Sequence, residues 1–241
     1  ILGGGTSGFV TAAILSEYFK NISIKCVYSS SIGRIGVGES TQLAINDVFQ
    51  FLRLSDKEWM PKCNATYKTN IKFEGWSDAD FFYPFGDLTG DDVSDFFILT
   101  HLFPDIKFNQ FSRFHRYHSR FAELNRFTDD GWDFHDLTAY HFDTEKLAEV
   151  FYDVCLRNGV EFVDDKYIRA NKGEDGNIKS LKCENGTHEA DLFVDCTGFH
   201  SELLGKVMGV HYNSYADTLI NHRAIAAKIP YTDKNLSLIH I

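Results

Sequence analysis

The feature that most constrains the fold is a glycine-rich turn at the start of the chain, Gly3-Gly4-Gly5-Thr6-Ser7-Gly8. It follows the apolar pair Ile1-Leu2, which is typical of the end of a buried strand, and precedes a helical pattern over residues 9–20. Alternating residues predict a second strand at 22–28. The order strand, turn, helix and strand predicts a βαβ unit that closes right-handed into a parallel sheet.

The spacing Gly3-x-Gly5-x-x-Gly8 within this turn matches the fingerprint of dinucleotide-binding folds. The first glycine permits the tight turn, the second lets the backbone approach a pyrophosphate, and the third lets the helix pack closely on the strand. Thr6 and Ser7 lie in the turn, just before the predicted helix, whose N-terminus faces the phosphates. We therefore expect Gly3, Gly5, Thr6, Ser7 and Gly8 to bind a dinucleotide cofactor.

One part of the fingerprint is missing from the end of the second strand. An acidic residue usually stands there and binds ribose hydroxyls, but this chain has Val27-Tyr28-Ser29-Ser30. A serine hydroxyl could bind ribose there, more weakly than a carboxylate. The sequence leaves open which group near Tyr28 binds the ribose.

A second motif favours FAD over NAD. The apolar strand Leu192 to Asp195 ends in an acid and is followed by Cys196-Thr197-Gly198. Two-motif flavoproteins carry such a strand end late in the domain, after a β-meander, and we expect Asp195 and Gly198 to contact FAD. The alternative is an ordinary strand and turn.

The predicted fold class is α/β, an FAD-binding doubly wound parallel sheet with a β-meander and an inserted substrate-side region, truncated at both ends. Residues 1–241 are expected to form a single incomplete domain. Its FAD-binding core is 1–40 and 141–235, its insertion is 41–140, and 236–241 resembles a non-native tail.

Composition excludes several other classes of protein. A formal net charge of −10 argues against a nucleic-acid surface. The five cysteines form no CxxC pair, so neither a disulfide framework nor a zinc site is expected, and a cytoplasmic location is the default. The histidines give no metal-ligand spacing, and no apolar run approaches the roughly 20 residues of a membrane span.

Two further segments are ambiguous from spacing alone. Lys68 and Lys72 fall on one face of a predicted strand at 66–73, where they are either solvated lysines or, among aromatic neighbours, a reactive lysine of lowered pKa. Gly36-Val37-Gly38-Glu39-Ser40 is either a flexible turn that caps the next helix or a strap whose glycines lie close to a flavin ring.

Taken together, these motifs resemble the flavin-dependent halogenases of the tryptophan halogenase family. The resemblance is carried, in order, by the glycine turn, Arg34 to Thr41, Glu58-Trp59-Met60-Pro61, Tyr67 to Phe73, Ala139 to Asp143 and Asp191 to Gly198. It covers most of residues 1–228 and is weak over 87–138.

The resemblance implies a reaction and a set of site residues. Reduced FAD from a separate flavin reductase would react with oxygen to give a flavin hydroperoxide, and halide would convert this to hypohalous acid. Lys68 would hydrogen-bond the acid or become a haloamine, and an electron-rich indole, phenol or pyrrole would be halogenated. Gly36, Val37, Gly38, Glu39 and Ser40 would form the flavin strap.

The resemblance also sets what the chain is expected to lack. The family's second catalytic carboxylate and tryptophan-rich motif would lie beyond Ile241, so the fragment is expected to be inactive alone. The expected partners are a small aromatic substrate and the reductase, with no nucleic acid or membrane, and a homodimer is one assembly that it allows. The alternatives are a flavin monooxygenase that hydroxylates and a non-catalytic flavin-binding protein.

Overall fold

A computed structural model describes the backbone of residues 1–34, 36, 40–76, 78–86, 90–115, 117–124, 137–221, 223 and 225. Within these ranges the side chains of residues 108, 115, 117, 118 and 121 are not described. The proposed tail at 236–241 and most of the flavin strap, residues 37–39, lie outside the described residues.

The described residues form both helices and short strands. The α-helices are α1 Thr6–Tyr18, α2 Ile45–Phe51, α3 Asp56–Trp59, α4 Gly90–Leu102, α5 Phe111–His115, α6 Tyr117–Glu123 and α7 Thr144–Arg157. The strands are β1 Lys25–Tyr28, β2 Thr66–Lys68, β3 Asn70–Phe73, β4 Phe81–Pro84, β5 Ala139–His141, β6 Glu161–Asp164, β7 Tyr167–Lys172, β8 Ile178–Cys183 and β9 Thr187–Glu189. Shorter turns of 3₁₀ or π-helix are Phe108–Gln110, Gly198–His200 and Glu202–Val207.

The chain divides into two compact units. The first contains Ile1–Gly38, Phe51–Cys63 and Asp143–Ile229, and the second contains Glu39–Gln50 and Asn64–Phe142. The predicted insertion at 41–140 differs from the second unit mainly at Phe51–Cys63, which belongs to the first unit.

A parallel sheet organises the first unit, as the βαβ pattern predicts. Strand β1 pairs in parallel with β6, and Leu2 forms parallel bridges to Val27 on one side and to Asp195 on the other. The N-terminal segment is therefore central, because it hydrogen-bonds to both neighbours. The predicted strand at 192–195 is reduced to this single bridge at Asp195.

Two helices pack together beside this sheet. Helix α1 contacts α7, and the Cys155 thiol of α7 donates to the Phe9 carbonyl of α1 across 3.5 Å. The sequence Asp143-Thr144-Glu145-Lys146 predicts a capped helix start at α7. This is confirmed, because the Asp143 carboxylate accepts hydrogen bonds from the amides of Glu145 and Lys146. Gly159 follows the helix with φ of 79°, a left-handed conformation that glycine adopts without strain.

The predicted meander is present as an antiparallel sheet. Its strands run in the order β7-β8-β9, and Asp175-Gly176 and Asn185-Gly186 lie at the two turns. The β8 side chains Leu181 and Cys183 join a buried cluster with Leu2, Val27 and Leu203. This cluster joins the meander to the parallel sheet.

The second unit holds two antiparallel strand pairs. Strand β2 pairs with β5, and β3 pairs with β4. The sequence predicts one continuous strand at 66–73, and this is wrong, because the strand breaks at Thr69 and its halves take different partners. None of the helices formed by the described residues is long and apolar enough to span a lipid bilayer.

Candidate cofactor and lysine sites

The glycine turn is packed too tightly for any side chain at two of its fingerprint positions. A Cβ atom on Gly3 would lie 2.2 Å from the Cys196 carbonyl oxygen, and one on Gly8 would lie 2.0 Å from the Gly3 carbonyl oxygen. Gly3 also has φ of 124°, which disfavours other residues. These two glycines therefore allow strand, turn and helix to approach one another.

Gly5 has a different environment from its two partners. Among the described residues, a Cβ atom on Gly5 would have no neighbour within 4 Å, so this face of the turn is open toward them. Gly5 is also the N-cap of α1, and no side chain caps the helix. The first turn, with Thr6 and Ser7, contains no acidic residue. An uncapped, acid-free helix N-terminus beside an open glycine fits a pyrophosphate.

Arg34 adds a cation to this turn, and sequence reasoning missed its role. Its Nε donates a hydrogen bond of 2.9 Å to the Gly4 carbonyl, and its guanidinium carbon lies 5.0 Å from the centroid of the Phe9 ring. Arginine suits anion recognition because several donors remain on the same planar group. The sequence signal that could have indicated this role is the position of Arg34, a cation that follows the second strand in a chain of net charge −10.

The Asp195 carboxylate accepts hydrogen bonds from nearby groups of its own chain. Its Oδ1 accepts from the Thr197 amide at 3.1 Å and hydroxyl at 2.6 Å, while Oδ2 accepts from the Leu203 and Leu204 amides, both at 2.8 Å. Burial alone would raise the pKa of Asp195, but these hydrogen bonds outweigh it and hold the pKa below its usual range. The carboxylate therefore fixes the turn that carries Gly198.

Gly198 is the exposed part of this second motif. It has φ of 63°, and a Cβ atom there would have no neighbour within 4 Å in the part of the chain that the structure describes. Both Gly198 and Gly5 thus present open backbone, whereas the Asp195 carboxylate faces inward. If FAD contacts this motif, the Gly198 backbone is a better candidate for that contact than the Asp195 carboxylate.

The predicted flavin strap is only partly described. Gly36 lies in the first unit, where a Cβ atom on it would be 3.9 Å from the Thr144 Cβ. Ser40 lies in the second unit and bridges His141 in antiparallel fashion. Val37, Gly38 and Glu39 lie outside the described residues, so the strap remains a prediction.

Lys68 of the second unit is half-buried, and its ammonium has defined neighbours. Its Nζ donates a hydrogen bond of 3.0 Å to the Thr41 carbonyl and lies 4.9 Å from the centroid of the Phe85 ring. Burial lowers the pKa of Lys68. Within the described part of the chain, the ammonium contacts one acceptor and one ring face, and no salt bridge joins it to a carboxylate.

Lys72 differs from Lys68 although the sequence places both on one predicted face. Its Nζ forms ion pairs with Glu74 and, at 3.8 Å, with Asp80. The hydrogen bond that Lys72 donates to the Glu74 carboxylate is the main reason that the pKa of Lys72 is raised. Lys72 is therefore a surface ion-pair lysine.

His141 shares the sheet face of Lys68. Thr66 pairs with His141 and Lys68 with Ala139, so His141 is the diagonal neighbour of Lys68. Burial, followed by the positive charge of Lys68, lowers the pKa of His141 to about 4. The imidazole is thus neutral near pH 7.

The structure also brings together a cluster that the sequence did not reveal. Ligand-type atoms of Asp165, Cys183 and His188 lie within 4.8 Å of one another. The Asp165 carboxylate already accepts from the Asn185 amide at 2.9 Å and interacts with His188 Nε2 at 3.2 Å. These contacts fasten the turn between β8 and β9, which is a structural role.

Comparison with known proteins places this chain in one family. The tryptophan halogenase family model matches residues 1–238. The chain is 36% identical to 7-chloro-L-tryptophan 6-halogenase KtzR of Kutzneria sp. (strain 744), over 95% of this chain and 50% of that protein. It is 34% identical to tryptophan 6-halogenase SttH of Streptomyces toxytricini, over 95% and 49%.

Solved structures agree with the sequence matches. The crystal structure of SttH superposes with a TM-score of 0.79 at 33% identity, covering 91% of this chain and 47% of that one. Tar14, a tryptophan C-6 flavin-dependent halogenase (chlorinase) from taromycin biosynthesis, gives 0.78 at 34% identity, covering 90% and 46%. The chain spans about half the length of these relatives. The chain belongs to the tryptophan halogenase family.

Proposed function

We propose that this chain provides the FAD-binding and lysine-bearing part of a flavin-dependent halogenase that acts on tryptophan or a related electron-rich aromatic compound. The observation that carries the proposal is Lys68, a half-buried lysine of lowered pKa held by the Thr41 carbonyl beside the Phe85 ring. Family membership supports it, since KtzR, SttH and Tar14 are named as tryptophan halogenases.

The glycine turn supports FAD as the cofactor. Gly5 and the first turn of α1 would hold the pyrophosphate, and Arg34 would supply a positive charge beside it. Gly198 offers a second stretch of open backbone. Bound reduced flavin, with oxygen and halide, supplies hypohalous acid.

Lys68 then acts on the hypohalous acid. Its ammonium donates a hydrogen bond to the oxygen, which makes the halogen a better electrophile. The aromatic carbon gives its electron pair to the halogen as the halogen–oxygen bond breaks, and the oxygen leaves as water with the ring proton. In the neutral form, the amine would instead accept the halogen as a haloamine and pass it on. Either route depends on holding the lysine near one carbon of the substrate.

The remaining roles are predictions from the family resemblance. An indole ring is the proposed substrate class, because the relatives are named for tryptophan. Reduced flavin would come from a separate reductase, and a cytoplasmic location and a homodimer stay predictions.

The test is Lys68→Ala in the full-length protein, with Lys72→Ala as the matched control. In Lys68→Ala we expect flavin reoxidation and oxygen consumption to continue while halogenated product falls by roughly 10²–10⁴-fold. Lys72→Ala should retain activity because its ammonium is engaged in surface ion pairs. Halide-independent hydroxylated product from the unmodified protein would instead favour a monooxygenase.

A further inference from the structure

The carboxyl ends of β1 and β6 lie side by side at the edge of the parallel sheet where the glycine turn begins. The two strands are parallel, and their last pair is Tyr28 with Asp164. The Gly3 amide donates to the Val27 carbonyl across 2.9 Å, so this edge is continuous with the turn. A group at the end of β6 is therefore a neighbour of the position where the ribose-binding acid is missing.

Tyr28 occupies the position of that acid and serves packing. Its ring meets Phe9 edge-on with centroids 6.0 Å apart, and it contacts Phe162 at 6.3 Å. A Cβ atom on Gly4 would lie 2.6 Å from the Tyr28 Cβ, so the tyrosine lies directly against the glycine turn. Tyr28 packs against the turn and has no carboxylate that could bind the ribose hydroxyls.

Asp164 places a carboxylate just beyond the end of β1. Its Oδ1 accepts a hydrogen bond of 2.9 Å from the Ser30 amide, and the side chain is exposed. The Ser30 hydroxyl, and then its amide, lower the pKa of Asp164, so the group is ionised near pH 7. The adjacent serines are turned toward each other, with 2.7 Å between the Ser29 and Ser31 hydroxyl oxygens.

The neighbouring acid does not compete for this role. Asp165 is 4% exposed, and its carboxylate binds Asn185 and His188 within the meander. Asp164 is the acid at this strand end that is both exposed and held in place.

We propose that Asp164 binds the ribose hydroxyls of the adenosine half of FAD, in place of the acid that β1 lacks. The inference rests on the proposed function, because it requires FAD at the glycine turn. A carboxylate accepts hydrogen bonds from both hydroxyls of a vicinal diol and repels a 2′-phosphate. The carboxylate would thus come from the end of β6 instead of the end of β1.

The experiment measures the Kd of FAD and of its two halves, AMP and FMN, for Asp164→Asn in the full-length apoprotein. FAD and AMP should bind about tenfold more weakly, the scale of a lost hydrogen bond to a charged group, while FMN binding is unchanged. Asp164→Glu, which keeps the carboxylate, should retain most of the affinity. Asp175→Asn is the control, because Asp175 is an exposed acid in the β7–β8 turn.

Each other outcome has a distinct meaning. Unchanged FAD and AMP affinity in Asp164→Asn would overturn the role of Asp164 while leaving FAD binding intact. An equal loss for AMP and FMN would also overturn it, since the damage would be general. An unmodified protein that binds no FAD would instead overturn the proposed function.

Discussion

The ammonium of Lys68 donates a hydrogen bond of 3.0 Å to the main-chain carbonyl of Thr41. Strand β5 pairs with β2, which carries Lys68, and also forms a single bridge to Ser40, the residue before Thr41. Thr41 is joined to β5 through its amide, which donates to the Tyr140 carbonyl at 3.0 Å. Ala139 stands directly opposite Lys68 and is fully buried. Because Ala139 is the cross-strand neighbour of Lys68, we infer that its small side chain leaves room for the lysine stem to reach Thr41.

We therefore expect Ala139→Val to displace Lys68. Two added methyl groups opposite the lysine stem should move the ammonium from the Thr41 carbonyl and reduce halogenation at least tenfold, because reacting groups tolerate little misplacement. Overpacking should also lower the free energy of unfolding by about 1–3 kcal/mol. Product formation and urea unfolding measure the two effects.

The matched control is Ala148→Val in α7, another fully buried alanine. It should cost similar stability but leave the halogenation rate of the folded protein unchanged. If both variants lose activity equally, the loss reflects stability and the proposed role of Ala139 is wrong.

Gly5→Ala and Gly8→Ala should separate cofactor binding from folding. Gly8→Ala places a Cβ atom 2.0 Å from the Gly3 carbonyl oxygen, so we expect destabilisation of at least ~2 kcal/mol. Gly5→Ala meets no atom within 4 Å and should leave the melting temperature nearly unchanged. It should nevertheless weaken FAD binding, because the methyl group fills the proposed pyrophosphate space. Equal FAD affinity in Gly5→Ala and the unmodified protein would contradict the proposal that Gly5 borders the pyrophosphate site.

Local patterns predicted the parts of the fold that local chemistry determines. The glycine turn, the βαβ unit, the Asp143 cap of α7 and the two meander turns could all be predicted, because each depends on residues close in sequence. The α/β fold class follows from their order and is confirmed by the halogenase structures.

Features that depend on distant partners could not be predicted in this way. The strand at 66–73 looks continuous in alternation, but β5 and β4 pair with its two halves separately. The inward hydrogen bonds of Asp195 come from Leu203 and Leu204, which no strand-end motif indicates. The Phe85 ring beside Lys68 is likewise a tertiary contact.

His141 should make stability depend on pH. Its pKa is about 4 in the folded protein against 6.5 normally, so the unfolded chain binds more protons between these values. Stability should therefore fall as pH drops from about 6.5 to 4, by on the order of 3 kcal/mol at most. Urea unfolding across this range should show a flatter dependence in His141→Gln. The exposed His200, changed to Gln, is the control, and equal slopes in all three proteins would exclude His141 as the cause.

Asp195→Asn distinguishes a structural carboxylate from one that contacts FAD. An amide can replace one acceptor oxygen, but its NH₂ group cannot accept from the amides of Leu203 and Leu204. We expect a loss of about 2–3 kcal/mol in the free energy of unfolding, while Asp191→Asn, at an exposed acid, should change it by less than ~0.5 kcal/mol. FAD affinity, measured well below the melting temperature, should fall only modestly, because the carboxylate faces its own chain. A large loss of FAD affinity with little loss of stability would instead show that the carboxylate binds the cofactor directly.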